Sequence, residues 1–303
     1  MKIEIIKPFN DAFELMKKIL FQPFDLKKCC VIGFAAFLAH LGSGFNFNYR
    51  YNSRATGPES AAFQDLASAI RQIPPWILIF GVVILVILVL TIIVLFAWLR
   101  ARGRFMFVDC IVKNRGAIAE PWREFRAEGN SYFLFSLLVA GVLIFVAALL
   151  SLPFMLPIVR GVTVLHLHDA YLLSAIILWG VVILLFAFAW ALIAQFMVTL
   201  MYRRRCGAQE AFGGALSLIA NYPGEITLYC LFWIALGLGA AVVACVSICL
   251  TCCIALIPYI GTVILLPIYV CLRAFSLCFL RQFGPDYDVW ATLPAPAPPP
   301  PPT

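Results

Sequence analysis

Long apolar runs separated by shorter basic segments dominate the pattern of the chain. The runs are 29–42, 76–99, 132–159, 171–201, 226–257 and 259–280. A helix needs about 20 apolar residues to cross a hydrocarbon core roughly 30 Å thick, and most of the runs reach that length. They do not alternate between polar and apolar residues, so they predict membrane-spanning helices and not the strands of a barrel. The first run is short, and a thin or re-entrant segment is a second interpretation of it.

Composition strengthens the membrane interpretation. Hydrophobic residues make up 63% of the chain and charged residues 12%, and the mean hydropathy is +0.98, whereas soluble domains are about 45–50% apolar and about 25% charged. The predicted fold is an all-α integral membrane protein with six transmembrane helices. Residues 1–290 are predicted to form a single polytopic membrane domain. The Pro-rich end, 291–303, is predicted to be a disordered, extended cytoplasmic tail and a candidate site for a protein partner.

The distribution of Lys and Arg predicts an orientation. With six spans both termini lie on the same side of the membrane, and 18 of the 22 basic residues then lie on that side. Arg50, Arg54, Arg71 and Arg160 fall on the other side. Basic residues concentrate in cytoplasmic loops, so both termini are expected in the cytoplasm. The expected location is a bacterial cytoplasmic (inner) membrane, and topology explains the basic residues without a nucleic-acid partner.

Two stretches of the chain match at a constant offset of 91 residues. The matched positions are Phe105-Met106 with Phe196-Met197, Gly116-Ala117 with Gly207-Ala208, and Asn130 with Asn221. Each stretch is basic, carries apolar residues typical of an amphipathic helix, and precedes two of the predicted spans. The N-terminal segment is a looser third copy. The pattern predicts three parallel repeats, each an interfacial amphipathic helix followed by a helical hairpin.

Basic side chains in these segments are candidate contacts for anionic lipids of the cytoplasmic leaflet, worth about 1 kcal/mol each near the membrane surface. The candidates are Lys17, Lys18, Arg102, Arg104, Arg203, Arg204 and Arg205. A purely topological role is the simpler interpretation of the same residues. Membrane lipids are therefore the expected partners, and recognition of a specific lipid or protein is the more demanding hypothesis.

One charged residue lies within a predicted span. Arg273 falls inside the run 259–280, and a charge within a membrane is costly and marks a functional candidate by default. Gln195, near the end of the run 171–201, is a candidate partner for it. Snorkelling of the Arg273 side chain toward the cytoplasmic interface is the alternative. Together Arg273 and Gln195 form the candidate intramembrane polar site.

No recognisable reaction chemistry accompanies these candidates. The spans contain no nucleophile–base pair, no phosphate-binding glycine loop and no paired carboxylates, and most of the eleven cysteines lie in apolar runs, as buried free thiols do. His166, His168 and Asp169 stand close together. So few ligands on a short loop are more typical of a wet interfacial segment than of a metal site. We therefore expect no catalytic residues, no cofactor and no metal.

Three segments resemble a known family. They are FMFVDCIVKNRGAIAEPWREFRAEGNSYF, AF…NYP at 211–223, and FGPDYDVW after the last run. They are similar to uncharacterised bacterial membrane proteins related to the membrane domain fused to some glycerophosphodiester phosphodiesterases. The resemblance implies membrane embedding. It does not imply hydrolysis, because the soluble phosphodiesterase barrel with its His and acidic metal ligands has no counterpart among these residues.

Two functional hypotheses follow from these patterns. The first is a non-enzymatic integral inner-membrane protein that acts as a scaffold, lipid-interacting or accessory module. The second is a transporter or channel-like protein for a lipid or small solute, with Arg273 and Gln195 in its path. A polar cavity around Arg273 would favour transport, whereas a solidly packed interior would favour the scaffold.

Overall fold

The computed structural model describes residues 4–41, 74–159, 167–251 and 257–291, and every regular element in these ranges is helical. The helices are α1 (Ile6–Leu20), α2 (Leu26–Ala39), α3 (Pro75–Val112), α4 (Ala119–Glu124), α5 (Arg126–Val159), α6 (Leu167–Arg204), α7 (Ala208–Asn221), α8 (Pro223–Leu250), α9 (Pro258–Ile264) and α10 (Leu266–Arg281). The all-α class predicted from the apolar runs is confirmed. The Pro-rich tail beyond residue 291 lies outside the described ranges.

Four helices in the described ranges are long and apolar enough to cross a membrane. They are Pro75–Val112, Arg126–Leu152, Ile177–Arg204 and Pro223–Leu250. Their apolar side chains are widely exposed: Leu85 is 58% exposed and Leu184 is 70% exposed. A helix that is apolar all round belongs in a protein core or a membrane. Four of the six predicted spans therefore coincide with helices suited to a bilayer.

The other two predicted spans differ from these four. The run 29–42 forms α2, which has 14 residues and is about 21 Å long, shorter than a hydrocarbon core of about 30 Å. The run 259–280 is divided between α9 and α10, which meet at Leu265. The predicted number of six spans is therefore not confirmed.

Prolines mark where several helices begin. Pro75, Pro223 and Pro258 each occupy the first turn of a helix, where a missing backbone N–H removes no hydrogen bond. Pro267 does the same in α10. Proline inside a helix removes a donor and clashes with the carbonyl four residues before it. For this reason the segment from α9 to α10 does not continue as one helix.

The buried core lies at one end of the long helices. We call this part the base, and it consists of α1, α2, α7, α10, residues 101–112 of α3 and residues 194–202 of α6. Phe105, Phe196 and Phe275 are fully buried in it. The remaining lengths of α3, α5, α6 and α8, which we call the arms, are largely exposed. The base therefore supplies the packing, and the arms supply apolar surface of the kind that a bilayer covers.

Three helices meet at the centre of the base. Each of α3, α6 and α10 contacts the other two, while α1 packs along α10, α2 along α3 and α7 along α6. Asn114 and Arg205, which are 91 residues apart, lie just after α3 and α6 and have positive φ values of 49° and 53°. This backbone conformation turns the chain away from a helix end. Two positions separated by the 91-residue offset therefore share the same backbone conformation.

Glu4, which precedes α1, is hydrogen-bonded to Gln282, which follows α10. Gln282 Oε1 accepts a hydrogen bond from the Glu4 backbone N–H over 2.9 Å, and Gln282 Nε2 donates to the Glu4 carbonyl over 2.8 Å. On α1, Met16 is buried against the base. Lys17 and Lys18, two of the candidate lipid contacts, are exposed on the same helix. One side of α1 therefore packs on the base, and its lysines remain accessible.

A buried carboxylate links α3 to α6. Asp109 is fully buried, and its carboxylate oxygens lie 2.8 Å from Lys113 Nζ and 3.3 Å from Arg115 Nη2. The Tyr202 hydroxyl of α6 donates a third contact to this carboxylate over 3.0 Å. A buried charge is tolerated when ion pairs and hydrogen bonds satisfy it. The ends of the two helices are thereby held together.

Glu124 extends this arrangement to α4. Its carboxylate lies 3.0 Å from Lys113 Nζ and also pairs with Arg205. Burial favours the neutral carboxyl, but hydrogen bonds and charges from the two cations outweigh burial and lower the pKa of Glu124. The ion pairs hold the short helix α4 against the ends of α3 and α6.

α2 lies so close to α3 that Gly103 has no room for a side chain. A Cβ added at Gly103 would come within 2.6 Å of the Leu38 backbone carbon and 2.7 Å of the Ala39 nitrogen. These are backbone atoms, so they can move away only if α2 itself moves. The close approach of the two helices therefore depends on glycine at this position.

We expect Gly103→Ala to lower the midpoint of thermal unfolding in detergent, because overpacking of this kind costs about 1–3 kcal/mol. Gly81→Ala is the matched control, since Gly81 lies on the same helix and a Cβ there meets nothing within 4 Å. Any gain in helix propensity is shared by the two variants. Equal unfolding midpoints would contradict the packing of α2 on α3.

Candidate functional site

The three central helices of the base border a cavity of about 460 Å³, which we call the arginine cavity. It lies where the base meets the arms. The end of α2 and Trp233 of α8 complete its wall. The lining side chains are Ala39, His40, Arg100, Arg104, Phe107, Ala191, Ala194, Gln195, Val198, Trp233, Tyr269, Leu272, Arg273 and Ser276.

Three guanidinium groups give this cavity its positive charge. Arg100 and Arg104 are one turn apart on α3 and therefore share a face, and Arg273 comes from α10. The described lining residues include no Asp or Glu. Within the described ranges, none of the three arginines forms an ion pair with a carboxylate. The described part of the wall therefore does not neutralise the positive charge of the cavity.

The cavity arginines are only partly hydrogen-bonded. Arg104 donates to the Tyr132 hydroxyl, and its guanidinium lies 5.4 Å from the centre of that ring. The Nε of Arg100 and the Nη2 of Arg273 are buried and have no hydrogen-bond partner in the part of the chain that is described. A buried charged donor without an acceptor costs free energy. An anion in the cavity would supply the missing acceptors.

Gln195 borders the cavity from α6 and is oriented by two hydroxyl groups. Its Oε1 accepts from the Tyr229 hydroxyl over 2.9 Å and from the Ser276 hydroxyl over 2.9 Å. The two hydroxyl oxygens are themselves 2.7 Å apart. Because the amide oxygen faces these hydroxyls, the amide nitrogen is the atom left to donate to a ligand.

His40 adds no charge to the cavity at neutral pH. It borders the cavity at the end of α2. The surrounding protein lowers the pKa of His40 to about 4, with burial as the main cause and a hydrogen bond to the Ala36 carbonyl in opposition. The charges of the three cavity arginines lower this pKa further. The positive charge at pH 7 therefore comes from arginine.

A second cavity of about 350 Å³ adjoins the first and shares Arg100 and Arg104 with it. We call it the side groove. Much of its wall is apolar and includes Ile93, Phe96 and Trp190. Ile93 is 57% exposed and Phe96 is 44% exposed, so the groove runs from the arginines to the apolar surface of the arms. The two spaces together suit a molecule with a charged head and an apolar tail.

Three of the candidate residues from the sequence lie together in this site. Arg273, Gln195 and Arg104 all line the arginine cavity. In the described structure Arg273 and Gln195 are not hydrogen-bonded to each other, because the Gln195 oxygen faces Tyr229 and Ser276 instead. The structure therefore places them as two parts of one wall and not as a bonded pair.

Arg102, another candidate lipid contact, is buried. Its guanidinium lies 4.5 Å from the ring centre of Trp98 and 4.8 Å from that of Trp122. It also donates to the Asn130 Oδ1 from Nη2 over 3.1 Å. The two indole rings are nearly perpendicular, with centres 5.7 Å apart, so the guanidinium makes a cation–π contact with each of them. The Arg102 charge therefore serves packing within the protein.

The three consecutive arginines at the end of α6 contact other parts of the chain; Arg203 and Arg204 belong to its last turn, and Arg205 follows it. Their partners are the Pro285 carbonyl for Arg203, Asp286 for Arg204, and Glu124 and Glu128 for Arg205. They join α6 to α4 and to the segment that follows α10.

His166 lies outside the described ranges, and within them no group of three or more His, Cys, Asp or Glu side chains is placed to hold a metal ion.

Several residues of the site were not identified from the sequence. Arg100 carries a readable signal, because it lies one helical turn before Arg104 and so shares its face. Tyr229 and Ser276 carry none, since their contact with Gln195 depends on how α8 and α10 pack against α6. A pattern within one segment does not reveal such a contact between segments.

The fold and the site define an all-helical protein with four candidate membrane spans and a positively charged cavity at their base. The chain belongs to a family of unknown function, DUF7544, whose family model matches residues 3–283. No curated protein and no solved structure matches the chain. The resemblance to the membrane domain of glycerophosphodiester phosphodiesterases therefore stays a prediction.

We expect Tyr229→Phe to lower the thermal unfolding midpoint, because it removes a buried hydroxyl that satisfies Gln195, a loss of about 1 kcal/mol. The ring and its stacking on Phe279, 4.5 Å between centres, are retained. Tyr222→Phe is the matched control, since Tyr222 is 42% exposed and makes a ring contact with Phe283 that phenylalanine keeps. An unchanged midpoint for Tyr229→Phe would argue against the bonding of Gln195.

Proposed function

We propose that this protein is a non-enzymatic, lipid-interacting membrane protein that binds an anionic lipid by its headgroup in the arginine cavity. The observation that carries this proposal is the grouping of Arg100, Arg104 and Arg273 around one cavity whose described wall holds no carboxylate. One buried donor atom each of Arg100 and Arg273, without a hydrogen-bond partner among the described residues, adds to it.

Electrostatics supports an anion as the ligand. Like charges brought together inside a protein repel each other more strongly than in water. A cluster of this kind lowers stability, and proteins keep destabilising arrangements where function needs them. A bound anion reverses the effect, because it interacts with all three guanidinium groups at once and supplies acceptors for their donors.

The side groove supports a lipid over a soluble anion. It leads from Arg100 and Arg104 along α3 to Ile93 and Phe96, which are exposed on the arms. In a bilayer this surface faces acyl chains, so a lipid could place its headgroup among the arginines and its chains along the groove. A soluble anion would have no use for the apolar part of this space.

The composition of the wall supports binding over reaction. General acid–base catalysis needs a group whose pKa lies near the working pH. Among the described lining residues, His40 has the side chain whose ordinary pKa is closest to neutrality, and burial lowers the pKa of His40 to about 4. The remaining polar groups are three arginines, one amide, two hydroxyls and the indole N–H of Trp233, all of which can donate hydrogen bonds to an anion.

On this proposal the base lies at the cytoplasmic face of a bacterial inner membrane, with both termini in the cytoplasm. The distribution of basic residues supports this orientation.

The proposal also retains the three repeats. The matched φ values at Asn114 and Arg205 support a shared origin for α3 and α6. In addition, α1 packs along α10 in the same way that α7 packs along α6, which supports a third unit built from the two ends of the chain.

Transport of an anionic lipid or small solute is the second candidate. It is favoured by one observation, namely that Arg273 and Gln195 line an open cavity where a scaffold would be solidly packed. Binding and transport differ in outcome. In sealed liposomes containing the protein, movement of a labelled anionic lipid between leaflets supports transport, and binding without such movement supports the first proposal.

We expect Arg273→Gln to weaken binding of dioctanoyl phosphatidylglycerol about tenfold or more, because a hydrogen bond to a charged group is worth about 1.5–3 kcal/mol. Titration of the full chain in a neutral detergent, with dioctanoyl phosphatidylcholine as the uncharged comparison, measures the affinity. The unfolding midpoint without lipid should stay level or rise, because one repelling charge has been removed.

Arg123→Gln is the matched control. Arg123 is exposed on α4 and does not line the cavity, so its loss should leave lipid affinity within about twofold of the wild type. Equal weakening by the two substitutions would mean that surface charge, and not the arginine cavity, attracts the lipid.

A further inference from the structure

We infer that the headgroup bound in the arginine cavity is a phosphate monoester, whose three free oxygens meet donors from three different helices: Arg104, Gln195 and Arg273. This inference rests on the proposed function and narrows it to one class of headgroup. It excludes phosphodiesters and carboxylates as the preferred ligands.

The first support is the positional equivalence of the three donors. Arg104 and Gln195 are separated by the offset of 91, and Arg273 follows Gln195 by 78 residues. The positions four before and three after each donor line the same cavity. They are Arg100, Ala191 and Tyr269, and Phe107, Val198 and Ser276. The same face of each central helix is therefore turned to the cavity, so the donors converge from three directions.

The second support is the chemistry of the three groups. Guanidinium groups donate hydrogen bonds and accept none. The Gln195 oxygen is occupied by the hydroxyls of Tyr229 and Ser276, so its nitrogen remains as a donor. A phosphate monoester presents three unesterified oxygens in a tetrahedral arrangement. A phosphodiester presents two, and a carboxylate presents two in one plane.

The third support is charge. A phosphate monoester carries a charge of about −1.5 to −2 at pH 7, whereas a phosphodiester carries a single negative charge. The cavity holds three arginines with no carboxylate among the described lining residues. The more highly charged group compensates more of the repulsion between the arginines, so it is stabilised more than a diester in the same position.

Three probes distinguish a monoester from a diester headgroup and a lipid from a free anion. Dioctanoyl phosphatidic acid carries a phosphate monoester on a lipid, dioctanoyl phosphatidylglycerol carries a phosphodiester on the same chains, and inorganic phosphate carries the anion without a lipid. We expect the full chain in neutral detergent to bind the monoester lipid at least about tenfold more tightly than either of the others.

Gln195→Met tests the third donor. Methionine has a similar volume but cannot donate a hydrogen bond, so affinity for the monoester lipid should fall by a larger factor than affinity for the diester lipid, and the ratio of the two affinities should fall toward one. Gln209→Met is the matched control, because Gln209 is exposed on α7 and the same substitution there should leave the preference intact.

Gln195→Glu is the second variant, in case Gln195→Met fails to fold. Glutamate keeps an acceptor for the two hydroxyls but replaces the amide donor with an acceptor and a negative charge. Binding of the monoester lipid should fall by more than about tenfold. Retention of wild-type affinity in Gln195→Glu would overturn the role of Gln195 as a donor.

The outcomes distinguish the two proposals. Equal affinity for the two lipids, with both weakened by Arg273→Gln, overturns the monoester inference and leaves the proposed function standing. If neither lipid binds, or if Arg273→Gln leaves lipid affinity unchanged, the proposed function itself is overturned. Inorganic phosphate bound as tightly as the monoester lipid overturns the assignment to a lipid.

Discussion

The grouping of three guanidinium groups in one space, with no carboxylate among the described residues of its wall, is the constraint on which this account depends. The like charges of Arg100, Arg104 and Arg273 repel one another, so packing elsewhere in the base must hold α3, α6 and α10 against this repulsion. Buried phenylalanines on each of these helices and the close contact of α2 with α3 at Gly103 supply that packing. The free energy gained in the base therefore offsets the cost of keeping an unneutralised cavity.

The division between base and arms follows from the solvent each part meets. The base packs as soluble cores do, with buried aromatic rings and a satisfied carboxylate at Asp109. The arms are apolar on all sides, and lipid gives apolar helices no hydrophobic reason to pack together. Space between the arms is consequently available to lipid chains, and the side groove connects this space with the arginines.

The helical class and four of the long apolar helices were predictable, because a continuous apolar run is a strong local signal. The structure of the runs 29–42 and 259–280 was harder to predict. The first forms only a short helix, and Pro267 divides the second into two helices. The site was predictable only in part. Arg102 and Arg104 look alike in sequence, yet two residues along a helix turn a side chain through about 200°. Arg102 therefore contacts two tryptophan rings, and Arg104 lines the cavity.

Native mass spectrometry of the full chain, released from membranes in a mild detergent, tests the central claim most directly. The account predicts one anionic phospholipid retained per chain, and its loss when Arg104 and Arg273 are both replaced by glutamine in a protein that still folds. Retention of the same lipid by the doubly substituted protein, or retention of neutral lipid only by the wild type, would contradict it.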